Sequence, residues 1–517
     1  MSNSNLPNDI TEYSVTQLTE MISSASVYDV AEVTPLHYAK LLSKRIDNNI
    51  WFKREDQQSV FSFKLRGAYN KIFHLTDTQK QAGIIAASAG NHAQGVALAA
   101  QRLKIDATIV MPVTTPNIKV DSVRAMEARV VLQGDNYDEA CSHAYKLADE
   151  TKKVFIHPYD DVEVIAGQGS IGKEILEQFN GNIDAVFVPV GGGGLIAGVS
   201  AWIKQFSPNT RVIGVEPDDA ATLYSAMQAG ERVELPQVGI FADGVAVKKI
   251  GENTFELAKK YVDEVILVSI DELCAAIKDI FDDTRVVSEP AGALAAAGAK
   301  KYIQREQCNA LNLVAINSGA NINFDRLRHV TERTELGEGR EALFAVTIPE
   351  QKGSFLKFCT LIGNRSISEF NYRYASDDQA HIFVGVKFED ADQEKFAMID
   401  MLASHSYPVT DLSDNEMAKL HLRHMVGGRS PQLHDELIYR FEFPERPGAL
   451  LKFLSVMGSQ WNITLFHYRN HGAAFGRVLV GAQVPTPEVD EFKGFLDELG
   501  YAYYDETQNP IYRLFLK

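Results

Sequence analysis

Four short segments hold the residue types from which chemistry could be built. In FSFKLRGA (61–68), Lys64 stands between apolar neighbours at a predicted helix start, with Ser62 in position to cap it. Desolvating an ammonium lowers its pKa and leaves a nucleophilic amine, so a buried lysine here would serve covalent catalysis. A lysine reaching past an apolar helix face into water is the plainer alternative. In VFVPVGGGGLIAG (186–198), Gly191, Gly192, Gly193 and Gly194 follow a predicted strand and precede a predicted helix. Four missing side chains let consecutive backbone N–H groups converge on an anion, and the helix start adds partial positive charge, so a phosphate is the natural ligand. The same loop fits G-x-G-x-x-A through Gly192, Gly194 and Ala197, and Glu216 closes the next strand. A nicotinamide oxidoreductase is therefore a competing reading.

In SAGNHAQG (88–95), Ser88 and Asn91 stand between a strand end and a helix, where they either donate to a ligand in the crevice or cap the helix. In NSGAN (317–321), Ser318 follows the apolar run LNLVAI and offers a hydroxyl to a ring nitrogen, or makes a turn. SEPAGALAAAGA (288–299) reads as a closely packed small-residue helix, with a substrate-side role for Glu289 and Pro290 in its first turn as the second reading. His421 and His424 (HLRH), and His467 and His471 (HYRNH), have suggestive spacing but no carboxylate or cysteine beside them, so they read as surface or strand histidines.

The elements around these segments must position them. From about residue 30 to 330 short apolar runs alternate with amphipathic stretches: AGIIAAS (82–88), DATIVMP (106–112), RVVLQG, DAVFVPV (184–190) and RVIGVEP as strands, NHAQGVALAAQRL (91–103), TPNIKVDSVRAMEA and LIAGVSAWIKQF as helices. That alternation predicts an α/β domain of mainly parallel sheet, and its size calls for two lobes. The charged stretch Arg326 to Glu341 reads as a linking helix and a hinge. Beyond it PEQKGSFLKF (349–358) aligns with PERPGALLKF (444–453), FNYR (370–373) with FHYR (466–469), and VGV (384–386) with VGA (480–482), at offsets of 95 and then 96. This is a duplicated domain, each copy predicted as strand, glycine turn, helix, strand, strand, helix, with α+β character.

Composition bounds the function class. The chain has 517 residues, too many for a single core, and a net charge of −17 that disfavours nucleic acid and anionic membrane as partners. Cys141, Cys274, Cys308 and Cys359 lie far apart with no CxxC, against a disulfide framework or a cysteine zinc site. The first residues, MSNSNLPNDITEYS, carry no secretory pattern, and Val186 to Ile203 is broken by the glycines, so the expectation is a soluble cytoplasmic protein.

Taken in order, S-F-K-L-R-G, S-A-G-N-H, the glycine tetrad and S-G-A-N resemble the pyridoxal-phosphate enzymes of the tryptophan-synthase-β type. The resemblance is closest to the biosynthetic threonine deaminases (threonine ammonia-lyases) and covers nearly the whole chain, because those enzymes carry a duplicated regulatory domain similar to the ACT fold. It implies pyridoxal 5′-phosphate held as a Schiff base on Lys64, its phosphate wrapped by Gly191, Gly192, Gly193, Gly194 and Leu195, Asn91 on its 3′-oxygen and Ser318 on its pyridine nitrogen. Ser88, Ala89 and Gly90 become substrate-side candidates. The implied domains are a catalytic domain over 1–330, a linker over 331–341, and ACT-like subdomains over 342–414 and 437–508.

The implied reaction is the deaminating dehydration of L-threonine to 2-oxobutanoate and ammonia, with L-serine dehydration as the alternative on the same fold. Lys64 would take the α-proton, and a neutral serine at the ring nitrogen suits β-elimination better than transamination. Related serine racemases read S-S-G-N-H, with the second serine as a base on the opposite face; Ala89 here predicts elimination without racemisation. Their divalent-cation site is only partly matched, by Glu216 and Ala220 but with Thr222 in place of an acid, so no metal is expected. The oxidoreductase reading leaves Lys64 unexplained, and a catalytically dead sensor leaves four intact cofactor segments unexplained. Glu445-Arg446-Pro447-Gly448-Ala449-Leu450 resembles the strand–turn–helix signature of ACT-type amino-acid sensors; the first copy has Glu350, Lys352 and Gly353 at matching places. The resemblance implies isoleucine as allosteric inhibitor, valine as activator and a homotetramer.

Overall fold

The computed structural model describes residues 8–375, 378–430, 433–444, 449–457, 460–469 and 475–517. It divides into two units, Met1–Thr334 and Glu335–Lys517, and the helix Arg326–Gly337 runs across the division.

The first unit contains the expected parallel α/β architecture as two sheets. One has six strands in the order Leu36–Tyr38, Asn49–Arg54, Asn312–Asn317, Ala185–Pro189, Arg211–Pro217, Glu264–Val268, and only the pairing of its first two is antiparallel. Its central strands, Asn312–Asn317, Ala185–Pro189 and Arg211–Pro217, are largely apolar on both faces because both are covered. Phe187, Ile213, Val215 and Ala315 pack with the helices Ile270–Thr284 and Pro290–Glu306. The alternate residues Val186, Val188, Val212 and Val314 pack with the helix Gly194–Phe206. The second sheet, four parallel strands in the order Arg129–Leu132, Ala107–Met111, Ile84–Ala87, Val154–Phe155, repeats the pattern. Ile84 and Ala86 face one core while Ile85 and Ala87 face another.

The Glu335–Lys517 unit holds the duplicated domain, and here the structure adds two things to the predicted pattern. Each copy ends its sheet with a further short strand, Val409–Asp411 in the first and Ala502–Asp505 in the second. Both copies also share one eight-stranded antiparallel sheet, joined where Ile367–Arg373 pairs with Asn462–Arg469. In that pairing Phe370 lies opposite Tyr468 and Tyr372 opposite Phe466, so the repeated motif meets itself as a two-fold relation requires. Phe355 and Phe370, each 5.5 Å from Phe466, continue the two cores into one. Glu445, Arg446, Pro447 and Gly448 of the sensor-like turn, and His471, lie outside the described residues.

Candidate active site

A cleft of about 420 Å³ in the first unit gathers Lys64, Asn91, Tyr159, Gly191, Gly192, Gly193, Leu195, Glu289 and Ser318. These come from six separate stretches of the chain, all but the loop of Tyr159 at the end of a strand or the start of a helix, the usual place for a ligand in an open parallel sheet.

Lys64 is the first residue of the helix Lys64–Phe73. The expected cap does not form: Phe63 occupies the N-cap without a side-chain hydrogen bond, and the Ser62 hydroxyl is buried with no protein partner. The helix is fixed by close packing instead. A Cβ at Gly95 would stand 3.0 Å from the Leu65 nitrogen, and one at Gly167 would stand 2.7 Å from the Gly67 Cα, so neighbouring helices approach to backbone distance. Arg66, fully buried, pins it further. Its guanidinium bonds Glu55 at 2.8 and 2.9 Å and Glu174 at 2.6 and 3.1 Å, and Lys53 Nζ adds a bond to Glu174 at 2.6 Å. Lys64 Nζ donates to the Pro158 carbonyl at 3.4 Å. Burial drives the amine's pKa down to about 8, against the opposing pull of the Glu289 charge.

The glycine loop is shaped as an anion cradle. Its carbonyls are engaged by protein: Gly191 O at 3.4 Å by the Thr222 hydroxyl, which shares its single proton with Glu216, Gly192 O by the Thr254 hydroxyl at 2.8 Å and the Gly251 N–H at 3.3 Å, Gly193 O by the Ala197 N–H at 2.9 Å. In a trans peptide the next N–H points opposite to the carbonyl, so the N–H groups of Gly192, Gly193 and Gly194 face away from these partners. Gly193 caps the helix Gly194–Phe206 at φ +93°, a conformation that favours glycine. A Cβ on Gly192 would stand 2.2 Å from the Tyr159 ring. With a half-buried amine, a neutral hydroxyl and an amide in the same cleft, this donor set fits pyridoxal phosphate.

Asn91 opens the helix Asn91–Leu103 and donates from Nδ2 to Glu289 Oε1 at 2.6 Å. Ser318 is buried at the end of the strand Asn312–Asn317, its hydroxyl 3.4 Å from the Ala291 carbonyl. Ser88, Ala89 and Gly90 are half-buried just ahead of Asn91, and the Ser88 hydroxyl accepts from the Gly90 N–H at 3.2 Å instead of capping the helix. Glu216 does not face this cleft. Its carboxylate accepts from the Thr222 hydroxyl at 3.0 Å and from the Leu223 and Tyr224 N–H groups at 2.8 and 2.9 Å, capping the helix Thr222–Ala229. The ribose acid of the oxidoreductase reading is thus spent on a helix end, and Ala197 is buried in the core.

Sequence reasoning passed over Tyr159 and the Arg66 network. The histidine–proline–tyrosine run after the short strand Val154–Phe155 was the available signal for Tyr159.

A second cleft, about 370 Å³, lies in the other unit between the two copies of the repeat and includes Glu350, Gly353, Ser354, Tyr372, Trp461 and Asn462. Gly353, at φ +82°, caps the helix Ser354–Ile362. Glu350 accepts from the Tyr372 hydroxyl at 2.6 Å and from Asn462 Nδ2 at 3.2 Å, and Lys352 Nζ donates to the Gln460 carbonyl at 2.9 Å.

Comparison with known proteins agrees with this architecture. Residues 27–319 match the family described as pyridoxal-phosphate dependent enzyme, and residues 332–422 and 427–516 each match the C-terminal regulatory domain of threonine dehydratase. The chain is 55% identical over 498 residues to the biosynthetic L-threonine dehydratase of Burkholderia multivorans, covering 96% of this chain and 98% of that one. It is 54% identical over 492 residues to that of Escherichia coli, covering 95% of each. Among solved structures, the processed form of threonine deaminase isoform 2 from Solanum lycopersicum superposes with a TM-score of 0.61 at 50% identity, over 64% of this chain and 96% of that one. The chain belongs to the threonine dehydratase family of pyridoxal-phosphate-dependent enzymes.

Proposed function

We propose that this enzyme converts L-threonine to 2-oxobutanoate and ammonia, with Lys64 as its cofactor-bearing residue and α-base. The observation that carries the reading is the half-buried Lys64 amine in one cleft with the glycine loop, Asn91 and Ser318. When bound, pyridoxal phosphate supplies the electron sink that makes an amino acid's α-proton removable. The residues do the rest. Lys64 Nζ, with its pKa drawn down to about 8, would be a free amine in mildly alkaline solution and would take the substrate's α-proton. The N–H groups of Gly192 to Gly194, with Leu195 beside them, hold the phosphate. Asn91 Nδ2 has a second N–H for the 3′-oxygen, and the Ser318 hydroxyl, which carries no charge, meets the ring nitrogen. Loss of the β-hydroxyl with the α-proton removes one water; the enamine that leaves takes one water back and releases ammonia, so threonine's atoms are all accounted for. Ala89 offers no second base on the opposite face, which supports elimination without racemisation.

The regulatory half supports feedback by a branched aliphatic amino acid, isoleucine, in the cleft that Glu350 and Tyr372 border; valine as an opposing activator rests on the family resemblance alone. Family resemblance supports a cytoplasmic homotetramer. Among the described residues no helix is long and apolar enough to cross a membrane. The relatives compared above are named for threonine, so serine dehydration is set aside. The test is a product assay with each amino acid: 2-oxobutanoate from threonine, suppressed by isoleucine, is expected. Faster pyruvate release from serine would overturn the substrate assignment.

A further inference from the structure

One buried acid borders the cleft without a part in the chemistry above. Glu289 is the N-cap of the helix Pro290–Glu306 and is 5% exposed. It is riveted to the loop that carries Ser318: its N–H donates to the Gly319 carbonyl at 3.1 Å, and the neighbouring Ser288 hydroxyl donates to Asn317 Oδ1 at 2.8 Å. A Cβ on Gly319 would stand 2.5 Å from Glu289 Oε1, so the carboxylate lies directly on that loop.

Both ends of the Asn91 amide are tied. Its Nδ2 donates to Glu289 at 2.6 Å, and its Oδ1 accepts from Asn321 Nδ2 at 2.7 Å. Asn321 Nδ2 is itself anchored on the Val60 carbonyl at 2.8 Å. Turning the Asn91 amide over would set oxygen against carboxylate and N–H against N–H, so only one orientation satisfies both neighbours. In that orientation Nδ2 keeps its second N–H for the cleft.

We propose that Glu289 is a positioning residue for the cofactor: it fixes the Asn91 amide with its amino group toward the ring oxygen and brings a carboxylate charge into the pocket of Lys64. The inference rests on the reading of Asn91 as a cofactor contact. The charged groups acting on Glu289 are Lys64 from the helix Lys64–Phe73, Asp243 from the turn Asp243–Val245, and Lys119 from the helix Asn117–Arg124. Burial, with Asp243 adding to it, pushes the carboxyl up to about 7, while the Asn91 hydrogen bond and Lys119 oppose.

Two substitutions separate the roles. Glu289→Gln can still accept from Asn91 but carries no charge; Glu289→Ala does neither. In the apoprotein, the pH dependence of Lys64 labelling by acetic anhydride, read by peptide mass, reports the amine. Glu289→Gln should shift its midpoint down by about half a pH unit or more. Equilibrium dialysis of pyridoxal phosphate should show affinity about tenfold weaker in Glu289→Ala and Asn91→Ala, the loss expected for a hydrogen bond to a charged group, and no further loss when the two are combined. An unmoved Lys64 midpoint in Glu289→Gln overturns the charge assignment, and does so even if Glu289→Ala fails to fold. Weakened binding in Asn91→Ala with unchanged binding in Glu289→Ala overturns the positioning role alone. Unchanged binding in Asn91→Ala overturns the Asn91 reading and this inference with it.

Discussion

Replacing Gly192 with alanine adds one methyl group at the tightest point of the glycine loop. Its carbon would stand 2.2 Å from Tyr159 Cδ1 and Cγ and 2.4 Å from Cε1. Carbon atoms meet comfortably at about 3.5–4.0 Å, so ring or loop must give by about 1.3 Å. Tyr159 has little room: its N–H is 3.3 Å from His157 Nδ1, its ring stands edge-on to the His157 ring at 4.7 Å, and its backbone presses on Gly194. Overpacking of this kind costs about 1–3 kcal/mol. If the loop yields, the N–H groups of Gly192 to Gly194 swing off the phosphate, and each hydrogen bond to a charged group lost that way is worth about 1.5–3 kcal/mol. Cofactor affinity should fall by about 10- to 100-fold, or about 1.4–2.8 kcal/mol. Equilibrium dialysis of pyridoxal phosphate against the apoprotein measures this, with thermal melting as a check on folding. Gly494→Ala is the control, since a Cβ there meets nothing within 4 Å. A folded Gly192→Ala protein that binds cofactor within about threefold of wild type would refute the cradle, because a threefold change is well under 1 kcal/mol.

Further outcomes follow from the same geometry. Lys64→Ala should stay folded and lose threonine deamination by many powers of ten, since cofactor attachment and proton removal go together; retention of a tenth of the rate would sink the mechanism. In the apoprotein, cofactor capture should speed up as pH rises through about 8, because a lowered lysine pKa means that the amine loses its proton earlier. A midpoint near 10.5 would show an unperturbed lysine. Arg66→Met leaves the Glu55 carboxylate with only the neutral donors Thr34 and Gln58, takes one of two cations from Glu174, and should lower stability by about 3–5 kcal/mol in denaturant titration; a loss under about 1 kcal/mol would mean that the network is dispensable. A chain ended at Gly339 should keep deamination and lose the isoleucine response, where tenfold inhibition requires only about 1.4 kcal/mol of differential binding; persistent inhibition would move the effector site out of the repeat.

Much of the fold was legible because the catalytic unit's strands are buried on both faces and read as unbroken apolar runs. IIAA at Ile84–Ala87 and RVIGVEP at Arg211–Pro217 fall where expected, and the helix Asn91–Leu103 matches its predicted bounds. The repeat was visible from its glycine turns. Its joining into one sheet was not, since strand pairing between copies depends on register and leaves no local mark. The short strands Val409–Asp411 and Ala502–Asp505 were too brief to show period-two alternation. At the site, the lysine, the glycines and Ser318 announced themselves by unusual residue types at element ends. The Ser62 cap failed because close helix packing, with Gly95 against the Lys64–Leu65 backbone, sets that helix start more firmly than a serine hydroxyl does. Glu289 was readable only as half of a helix-starting Glu-Pro. Its contact with Asn91 spans 198 residues, beyond any local pattern.

The most direct test of the central claim is reduction of the holoenzyme with borohydride, followed by peptide mapping. The account predicts a visible absorption band that reduction abolishes, and a pyridoxyl mass increment on the peptide containing Lys64 and on no other. A label on a different lysine, or a protein without the band after reconstitution with pyridoxal phosphate, would contradict it.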